Sequence, residues 1–247
     1  MDAKRLRRLS IALALVPLVL AGCGGGGSGS QSGSGSGKVA NAQNIVNHDP
    51  PRLSEGWTLA TVQEEGFAIG LPPGWTQFDL SSSDIEAGMN EVRQANPNMA
   101  SALSAQVAQL AAQGIKLFAV DRNGNFAVTG FATNLNVIKD KTPDGANLDS
   151  LSAEAVAELK KELKTDVPIQ VFKNRLDINS GEAERLQYSW TMNSPDGRTF
   201  ALSVTQYVAI NGEDSYILTY STTDDQFGTY APLFDKSAKT LTFLESK

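Results

Sequence analysis

The most reactive side chain of this sequence belongs to Cys23, the only cysteine among 247 residues, which directly follows Leu20-Ala21-Gly22. A thiolate is a strong nucleophile, and the small residues before it leave the backbone accessible to a processing enzyme. Upstream, four basic residues precede an uncharged apolar run, Ile11–Ala21. This order of positive charge, apolar run and small residues is typical of a secretory signal. We therefore predict a signal segment over residues 1–22, cleaved between Gly22 and Cys23.

A membrane-spanning helix is the alternative interpretation of this N-terminal segment. Such a helix needs about 20 consecutive apolar residues. The run here has eleven residues, contains Pro17 and ends beside a glycine. These features favour the cleaved signal over the spanning helix.

The residues around the cysteine, Leu20-Ala21-Gly22-Cys23, resemble the lipobox of bacterial lipoprotein precursors. The resemblance implies that the Cys23 thiol receives a diacylglyceryl group and that cleavage leaves Cys23 as the new N-terminus. Two acyl chains anchor a protein stably, whereas one chain binds a bilayer marginally. An incidental unpaired thiol is the alternative. We expect a chain anchored in the cell membrane at its extracytoplasmic face; Gly24 leaves open whether the envelope has one membrane or two.

The lipidated cysteine is followed by a segment that cannot form a core. Gly24–Gly37 contains glycine and serine with one glutamine, so no apolar burial offsets the entropy of ordering the backbone. We predict a flexible tether over residues 23–55, in which the fourteen residues Gly24–Gly37 have a root-mean-square span of about 20 Å. A phosphate-binding glycine loop would need a preceding strand and a following helix, and the sequence predicts neither. Residues 56–247 are expected to form a single domain.

The charge of the sequence limits the classes of partner. The whole chain has a net charge of −6, and the signal segment holds four basic residues and one acidic residue. The remainder is therefore acidic, at about −9. Such a chain lacks the basic surface expected of a nucleic-acid-binding protein. We predict no nucleic-acid partner, and we expect the lipid rather than a basic patch to hold the domain at the membrane.

The residue types after the tether exclude several kinds of catalysis. His48 is the only histidine, and no cysteine follows Cys23. Ser-His-Asp and Cys-His nucleophilic sites, and metal sites built from histidine or thiolate, are thereby excluded from the domain. We predict no catalytic, metal-binding or cofactor-binding residues, and no disulfide. A serine–lysine dyad stays open, although no Ser-x-x-Lys sequence at a helix start suggests one.

Carboxylates are the remaining groups with acid–base chemistry. A glycoside hydrolase needs two of them at a suitable separation, and local acidic pairs occur at Glu64-Glu65, Glu182/Glu184, Glu213-Asp214 and Asp224-Asp225. Each pair lies at a predicted strand end, turn or helix start, where solvation and capping favour acidic residues. The segment Asp121–Asn125 has a faint likeness to a calcium loop, but its glycine is at the fourth position rather than the sixth. We interpret it as a hairpin turn.

Hydrophobic periodicity from Trp57 onward predicts a mixture of helices and strands. Four strands are expected before residue 180: Phe67–Leu71, Ile115–Asp121, Asn125–Ile138 and Val167–Ile178. The first is expected to end at Pro72-Pro73-Gly74, and Asn123-Gly124 is expected to form a hairpin turn between the second and the third. Helices are expected over Asp84–Gln113, broken at Asn96-Pro97, and over Leu151–Leu163. The first helix has its apolar stripe at Met99, Leu103, Val107 and Leu110.

The C-terminal part is expected to be an antiparallel meander. Apolar residues alternate in Leu186–Met192, Phe200–Val204 and Tyr216–Tyr220, with turns at Pro195-Asp196-Gly197 and Asn211-Gly212. A short helix around Pro232–Ala238 and a last strand at Leu241–Phe243 follow. Irregular alternation of helices and hairpins predicts an α+β fold, with an antiparallel sheet covered by helices.

Two segments are similar to the PsbP-like superfamily, which includes the LpqN group of actinobacterial lipoproteins. One is the strand and turn Gly66–Trp75; the other comprises Tyr216–Tyr220, Phe227 and Pro232-Leu233-Phe234. The resemblance covers roughly Trp57 to Phe243. It implies an α/β/α sandwich around an antiparallel sheet and a non-enzymatic accessory or binding role, and it supplies no catalytic motif.

These observations favour a lipid-anchored envelope lipoprotein with a non-catalytic binding or assembly role at the outer face of the cytoplasmic membrane. Its partner is expected to be an envelope protein, a glycan or a small apolar ligand held between sheet and helix. The alternatives are a carboxylate-dependent envelope glycan hydrolase and a solute-binding lipoprotein. The hydrolase predicts paired acids in one cleft, and the solute-binding protein predicts a deep pocket.

Overall fold

A computed structural model describes residues 51–80, 85–100, 113–124, 131–163, 171–193 and 199–244, together with Leu103, Leu110 and Phe126. Ten strands and three helices have bounds in this part of the chain. The strands are β1 Thr58–Val62, β2 Phe67–Leu71, β3 Trp75–Asp79, β4 Ile115–Asp121, β5 Asn134–Lys141, β6 Phe172–Ile178, β7 Gly181–Asn193, β8 Thr199–Asn211, β9 Asp214–Thr223 and β10 Thr242–Phe243. The helices are α1 Ile85–Ala95, α2 Leu148–Leu163 and α3 Phe227–Lys239.

Seven of the strands form one antiparallel sheet in the order β3-β4-β5-β9-β8-β7-β6. Its centre is the predicted meander, in which alternation places every second side chain on the same face. The β8–β9 turn lies at the predicted Asn211-Gly212, where Gly212 has a φ of 60°. This left-handed conformation costs glycine little. The other three strands form a small antiparallel sheet in the order β1-β2-β10.

Both faces of the large sheet are covered. On one face, α1 packs on Phe78 and Phe118, and α2 packs on Leu186 and Val208. The opposite face carries α3 and the small sheet, whose inward residues join one core cluster with those of β4, β5, β8 and β9. The predicted α+β fold, an antiparallel sheet covered by helices, is confirmed.

Helix α3 lies on the large sheet through a stack of aromatic rings. The Phe234 ring is 4.9 Å from that of Tyr220 and 5.9 Å from that of Tyr230, centroid to centroid. Tyr220 in turn meets Tyr207 edge to face at 5.6 Å. Aromatic contacts of this kind add to the energy of simple burial. The space between this helix and the sheet is therefore filled by the protein's own side chains.

The prediction of a tight Asn123-Gly124 hairpin is wrong. Strands β4 and β5 do pair, but β5 begins at Asn134 and the connection runs from Arg122 to Thr133. Phe126 has helical backbone and is buried in the cluster that contains Phe118. The Phe126 ring is buried on the face of the large sheet that α1 covers. The chain therefore leaves the sheet after β4 and returns to it only at Asn134, instead of reversing in a two-residue turn.

The helices differ from the predictions at their ends. The break at Asn96-Pro97 is confirmed: α1 ends at Ala95, and helix resumes at residues 97–100, where the Asn96 side chain accepts a hydrogen bond from the Met99 amide at 3.1 Å. Met99, Leu103 and Leu110 of the predicted stripe are buried, and Val107 lies outside the described residues.

Helix α2 begins at Leu148, three residues earlier than predicted. The Asn147 side chain accepts a hydrogen bond from the Ser150 amide, and the Ser150 hydroxyl accepts one from the Asn147 amide, both at 2.9 Å. These reciprocal bonds cap the first turn. Helix α3 begins at Phe227 rather than near Pro232, because its buried positions include Tyr230 as well as Phe234.

The strands of the meander extend beyond the predicted apolar cores, because polar residues continue the pairing at both ends. Strand β6 begins at Phe172, and the first residues of the predicted Val167–Ile178 strand lie outside the described part, as does the Pro195-Asp196-Gly197 turn. In the part that the structure describes, no helix has the length and apolarity needed to cross a bilayer.

Candidate functional site

The predicted signal cleavage and lipidation residues, Gly22 and Cys23, lie outside the described residues. The described chain starts at Pro51, within the predicted tether. The sites that the structure does describe are the acidic pairs, the Asp121 loop and a basic cavity beside Pro51.

Two of the predicted acidic pairs meet at one lysine. The Lys139 ammonium lies 3.2 Å from a carboxylate oxygen of Asp214 and 3.9 Å from one of Glu65. Lys116 pairs with Glu65 at 2.6 Å, and Lys141 pairs with Asp214 at 2.7 Å. Sequence analysis treated Glu64-Glu65 and Glu213-Asp214 as separate features. The β5–β9 pairing places Lys139 close to Asp214, and the turn before β2 brings Glu65 to the same lysine.

The lysines of this cluster keep Asp214 ionised. Burial raises the pKa of Asp214, but hydrogen bonds and charge from Lys141 and Lys139 outweigh burial and hold the pKa below its usual value. A hydrolytic general acid needs the opposite shift, so that it holds a proton near neutral pH. The cluster instead ties the turn before β2 to the large sheet, since Lys139 also donates to the Glu65 carbonyl at 2.9 Å.

The other predicted acids for which contacts are described have partners of their own. Glu184 is buried and pairs with Arg175 at 2.9 Å. Asp224 accepts a hydrogen bond from the Ser203 hydroxyl at 2.6 Å. Glu182 and Asp225 are exposed. Arg175 and Ser203 thus occupy the carboxylates that a hydrolase would present to its substrate.

The Asp121–Gly124 part of the predicted Asp121–Asn125 loop is held within the domain, and Asn125 lies outside the described residues. One carboxylate oxygen of Asp121 accepts the Asn123 amide at 2.9 Å, and the other accepts the Tyr230 hydroxyl. Burial and the bond to Asp121 raise the pKa of the Tyr230 hydroxyl above its usual value. Asp121 therefore connects β4 to helix α3. Among the described residues, no group of three or more His, Cys, Asp and Glu side chains is placed to hold a metal ion.

A cavity of about 250 Å³ opens where the chain enters the domain. Four parts of the fold surround it: the segment before β1, the β6–β7 turn, the C-terminal end of α3 and the residue after that helix. The lining residues are Pro51, Arg52, Ser54, Trp57, Asn179, Lys236, Lys239 and Thr240. Backbone bonds fix the walls, because the Asn179 amide donates to the Lys239 carbonyl at 2.8 Å and the Trp57 amide to the Ser54 carbonyl at 3.1 Å.

The cavity is basic, in contrast to the acidic chain around it. Arg52, Lys236 and Lys239 line it, and none of them has a salt-bridge partner among the described residues. The Lys236 ammonium lies 4.8 Å from the centre of the Trp57 ring. A cation–π contact orients the ammonium while leaving its charge unneutralised. The arrangement is suited to binding an anion.

The cavity's polar groups are positioned by the fold. The Thr240 hydroxyl accepts a hydrogen bond from the Gly70 amide at 2.6 Å, and the Asn179 side-chain amide donates one to the Thr242 hydroxyl at 2.9 Å. Gly70 allows this close approach: a Cβ there would lie 3.0 Å from the Thr240 hydroxyl oxygen and 2.7 Å from a Leu53 methyl carbon.

Sequence analysis missed this cavity because Arg52 is far from the two lysines in the chain and because the negative net charge of the chain does not suggest a basic site. The one available signal was the i,i+3 spacing of Lys236 and Lys239, which places them on one side of a helix. Lysines near a helix C-terminus are also expected for dipole reasons alone, so the spacing does not by itself indicate a site.

No protein-family model matches the sequence, and no curated protein sequence matches it. The solved structures that are similar to the chain include the following two. The cyanobacterial PsbP protein CyanoP of Synechocystis is 14% identical, with 77% of this chain and 94% of that chain covered and a TM-score of 0.47. LpqN of Mycobacterium tuberculosis, described as involved in cell envelope biogenesis, is 14% identical, with 52% and 72% covered and a TM-score of 0.36.

Proposed function

We propose that this chain is a lipid-anchored protein of the bacterial cell envelope with a non-catalytic binding role at the outer face of the cytoplasmic membrane. The observation that carries the proposal is the position of Pro51. This residue continues the predicted tether and lines the basic cavity. The predicted anchor at Cys23 therefore lies 28 residues before a residue that lines the cavity.

The residue chemistry supports binding rather than catalysis. The sequence after the tether offers neither histidine nor cysteine, which removes the side chains best suited to acid–base work at neutral pH. Among the predicted acidic pairs, Glu65, Glu184 and Asp214 are held by lysine or arginine. These ion pairs favour structural roles for the three carboxylates.

The cavity supports a small polar ligand rather than an apolar one. Trp57 is its one aromatic lining residue, and the charged and hydroxyl groups around it favour hydration. Its volume of about 250 Å³ lies just below the range of about 300–1,000 Å³ typical of drug-sized ligand sites. An apolar ligand between α3 and the sheet would have to displace the stacked rings of Tyr220 and Phe234.

Substitution of the anchoring residue tests the proposal. The wild-type protein is expected to incorporate radiolabelled palmitate when expressed in a bacterial host, and the Cys23→Ser variant is not, because the sulfur that would carry the diacylglyceryl group is missing. A Cys23→Ser/Ser32→Cys variant is the matched control, since it keeps one thiol in the chain but moves it out of the lipobox. An unlabelled wild type, or label on either variant, would contradict the proposal.

A further inference from the structure

We infer that the basic cavity beside Pro51 binds a phosphate group, carried either by a membrane lipid headgroup or by a soluble phosphate ester. Three exposed cations line it, Arg52, Lys236 and Lys239, and none of them forms a salt bridge within the described residues. Unpaired cations around a small concave surface on an acidic chain are placed to attract an anion.

The donor geometry favours phosphate over a simple monovalent anion. An arginine presents several N–H donors in a planar fork that matches two phosphate oxygens. Lys236 and Lys239 supply ammonium donors from α3, and the Asn179 turn borders the cavity beside Lys239, to whose carbonyl the Asn179 amide donates at 2.8 Å. A phosphate has several oxygens that can each accept a hydrogen bond, so different oxygens can pair with the arginine and the lysines. A single-atom anion has no separate acceptor atoms for the three side chains.

The cavity's size and lining limit what the phosphate can be attached to. A volume of about 250 Å³ accommodates a phosphate with a glycerol-sized substituent. Trp57 is the one aromatic residue among the described residues that line the cavity. The Lys236 ammonium lies over its ring, 4.8 Å from the ring centre, so little apolar surface is available to an acyl chain. The ligand is therefore a headgroup or a small ester, and any acyl chains would stay in the bilayer.

The location makes a lipid headgroup accessible, a step that rests on the proposed anchoring at Cys23. The anchor precedes Pro51 by 28 residues. A coil of that length has a root-mean-square span of about 30 Å, so headgroups near the anchor lie within reach of the cavity. Tethering at this range gives the cavity an effective concentration of headgroups on the order of millimolar. A weak intrinsic affinity of the cavity for one headgroup would therefore be enough for it to be occupied.

The test uses the full chain carrying Cys23→Ser, so its outcome does not depend on lipidation. One arm measures binding of inorganic phosphate and glycerol 3-phosphate by calorimetry. The other measures co-sedimentation with phosphatidylglycerol vesicles and with phosphatidylcholine vesicles. In each arm, Lys236→Ala/Lys239→Ala is compared with Lys160→Ala/Lys173→Ala, which removes the same charge from exposed positions elsewhere. The N-terminal basic residues are present in every variant, so their contribution to vesicle binding cancels.

We expect the cavity variant to bind at least one of these probes about tenfold more weakly than the matched control, since a hydrogen bond between charged groups contributes a factor of that order. Loss of phosphatidylglycerol binding alone identifies a headgroup; loss of glycerol 3-phosphate binding alone identifies a soluble ester. Equal binding by the two double variants, or no binding of any probe by the Cys23→Ser chain, would overturn the inference. Alanine suits exposed helical positions, so the Lys236→Ala/Lys239→Ala variant is expected to fold.

Discussion

Replacement of Phe234 by alanine tests how helix α3 is seated on the large sheet. The Phe234 side chain is fully buried at the centre of the helix. Its ring stacks on Tyr220 and Tyr230 and meets Trp75 edge to face at 6.5 Å. The same helix carries Lys236 and Lys239, which form one wall of the cavity. The packing of α3 on the large sheet therefore determines where these two lysines lie and whether they line the cavity.

The expected loss of stability is large. Phenylalanine-to-alanine substitutions in cores cost about 3–5 kcal/mol, and three aromatic contacts place Phe234 toward the upper end of that range. A domain has a total stability of roughly 5–15 kcal/mol. With a urea slope of about 2 kcal/mol per molar, a loss of about 4 kcal/mol lowers the unfolding midpoint by about 2 M.

Urea unfolding followed by tryptophan fluorescence measures this change, because Trp75 contacts Phe234 directly. Leu233→Ala is the matched control: Leu233 is the preceding residue on the same helix and is only half-buried. Its midpoint is expected to fall by roughly a quarter as much, in line with its smaller buried area. If Phe234→Ala lowers the midpoint no further than Leu233→Ala does, the proposed seating of α3 is wrong.

Three further results are expected. Asn147→Ala should lower the free energy of unfolding by about 1 kcal/mol in urea titrations, because it removes the cap of α2, whereas Asn147→Asp should retain most of it. Between pH 5 and 3 the wild type should lose more stability than Asp214→Asn: the folded-state pKa of Asp214 is lowered, so its contribution is complete above about pH 4 and is lost as the pH falls through the folded pKa. Burial raises the folded-state pKa of four tyrosine hydroxyls. Their contribution to the free energy of unfolding is therefore complete below about pH 10 and is lost as the pH rises beyond it. Their tyrosinate absorbance at 295 nm should therefore appear together with the loss of far-UV circular dichroism; its appearance near pH 10 in folded protein would contradict their burial. These residues are Tyr207, Tyr216, Tyr220 and Tyr230.

The meander of the large sheet was predictable because its signal is local. In β7, apolar residues alternate with polar ones over Leu186–Met192, and Asn211-Gly212 marks the turn between β8 and β9. The connection after β4 was not predictable in this way. Asn123-Gly124 favours a hairpin locally, but Phe126 is buried in a cluster that includes Phe78 and Val92, which are far away in the chain. Tertiary packing overrides turn preference here.

The basic cavity shows a second limit of sequence reasoning. Arg52, Asn179 and Lys236 line one cavity only because the segment before β1, the β6–β7 turn and the C-terminal end of α3 meet there. Their separation in the chain hides the cluster, and the net charge of −6 points toward the opposite chemistry. By contrast, the prediction for Cys23 rests on four consecutive residues, so sequence alone is sufficient to make it.

Mass spectrometry of the mature N-terminus tests the anchored state most directly. Trypsin cleaves after Lys38, so a processed and lipidated chain gives the peptide Cys23–Lys38 carrying a diacylglyceryl thioether. We expect this modified peptide from membranes of the native host. An unmodified peptide that begins at Leu9, after Arg8, or an unmodified peptide that begins at Cys23, would show that the chain is not lipid-anchored.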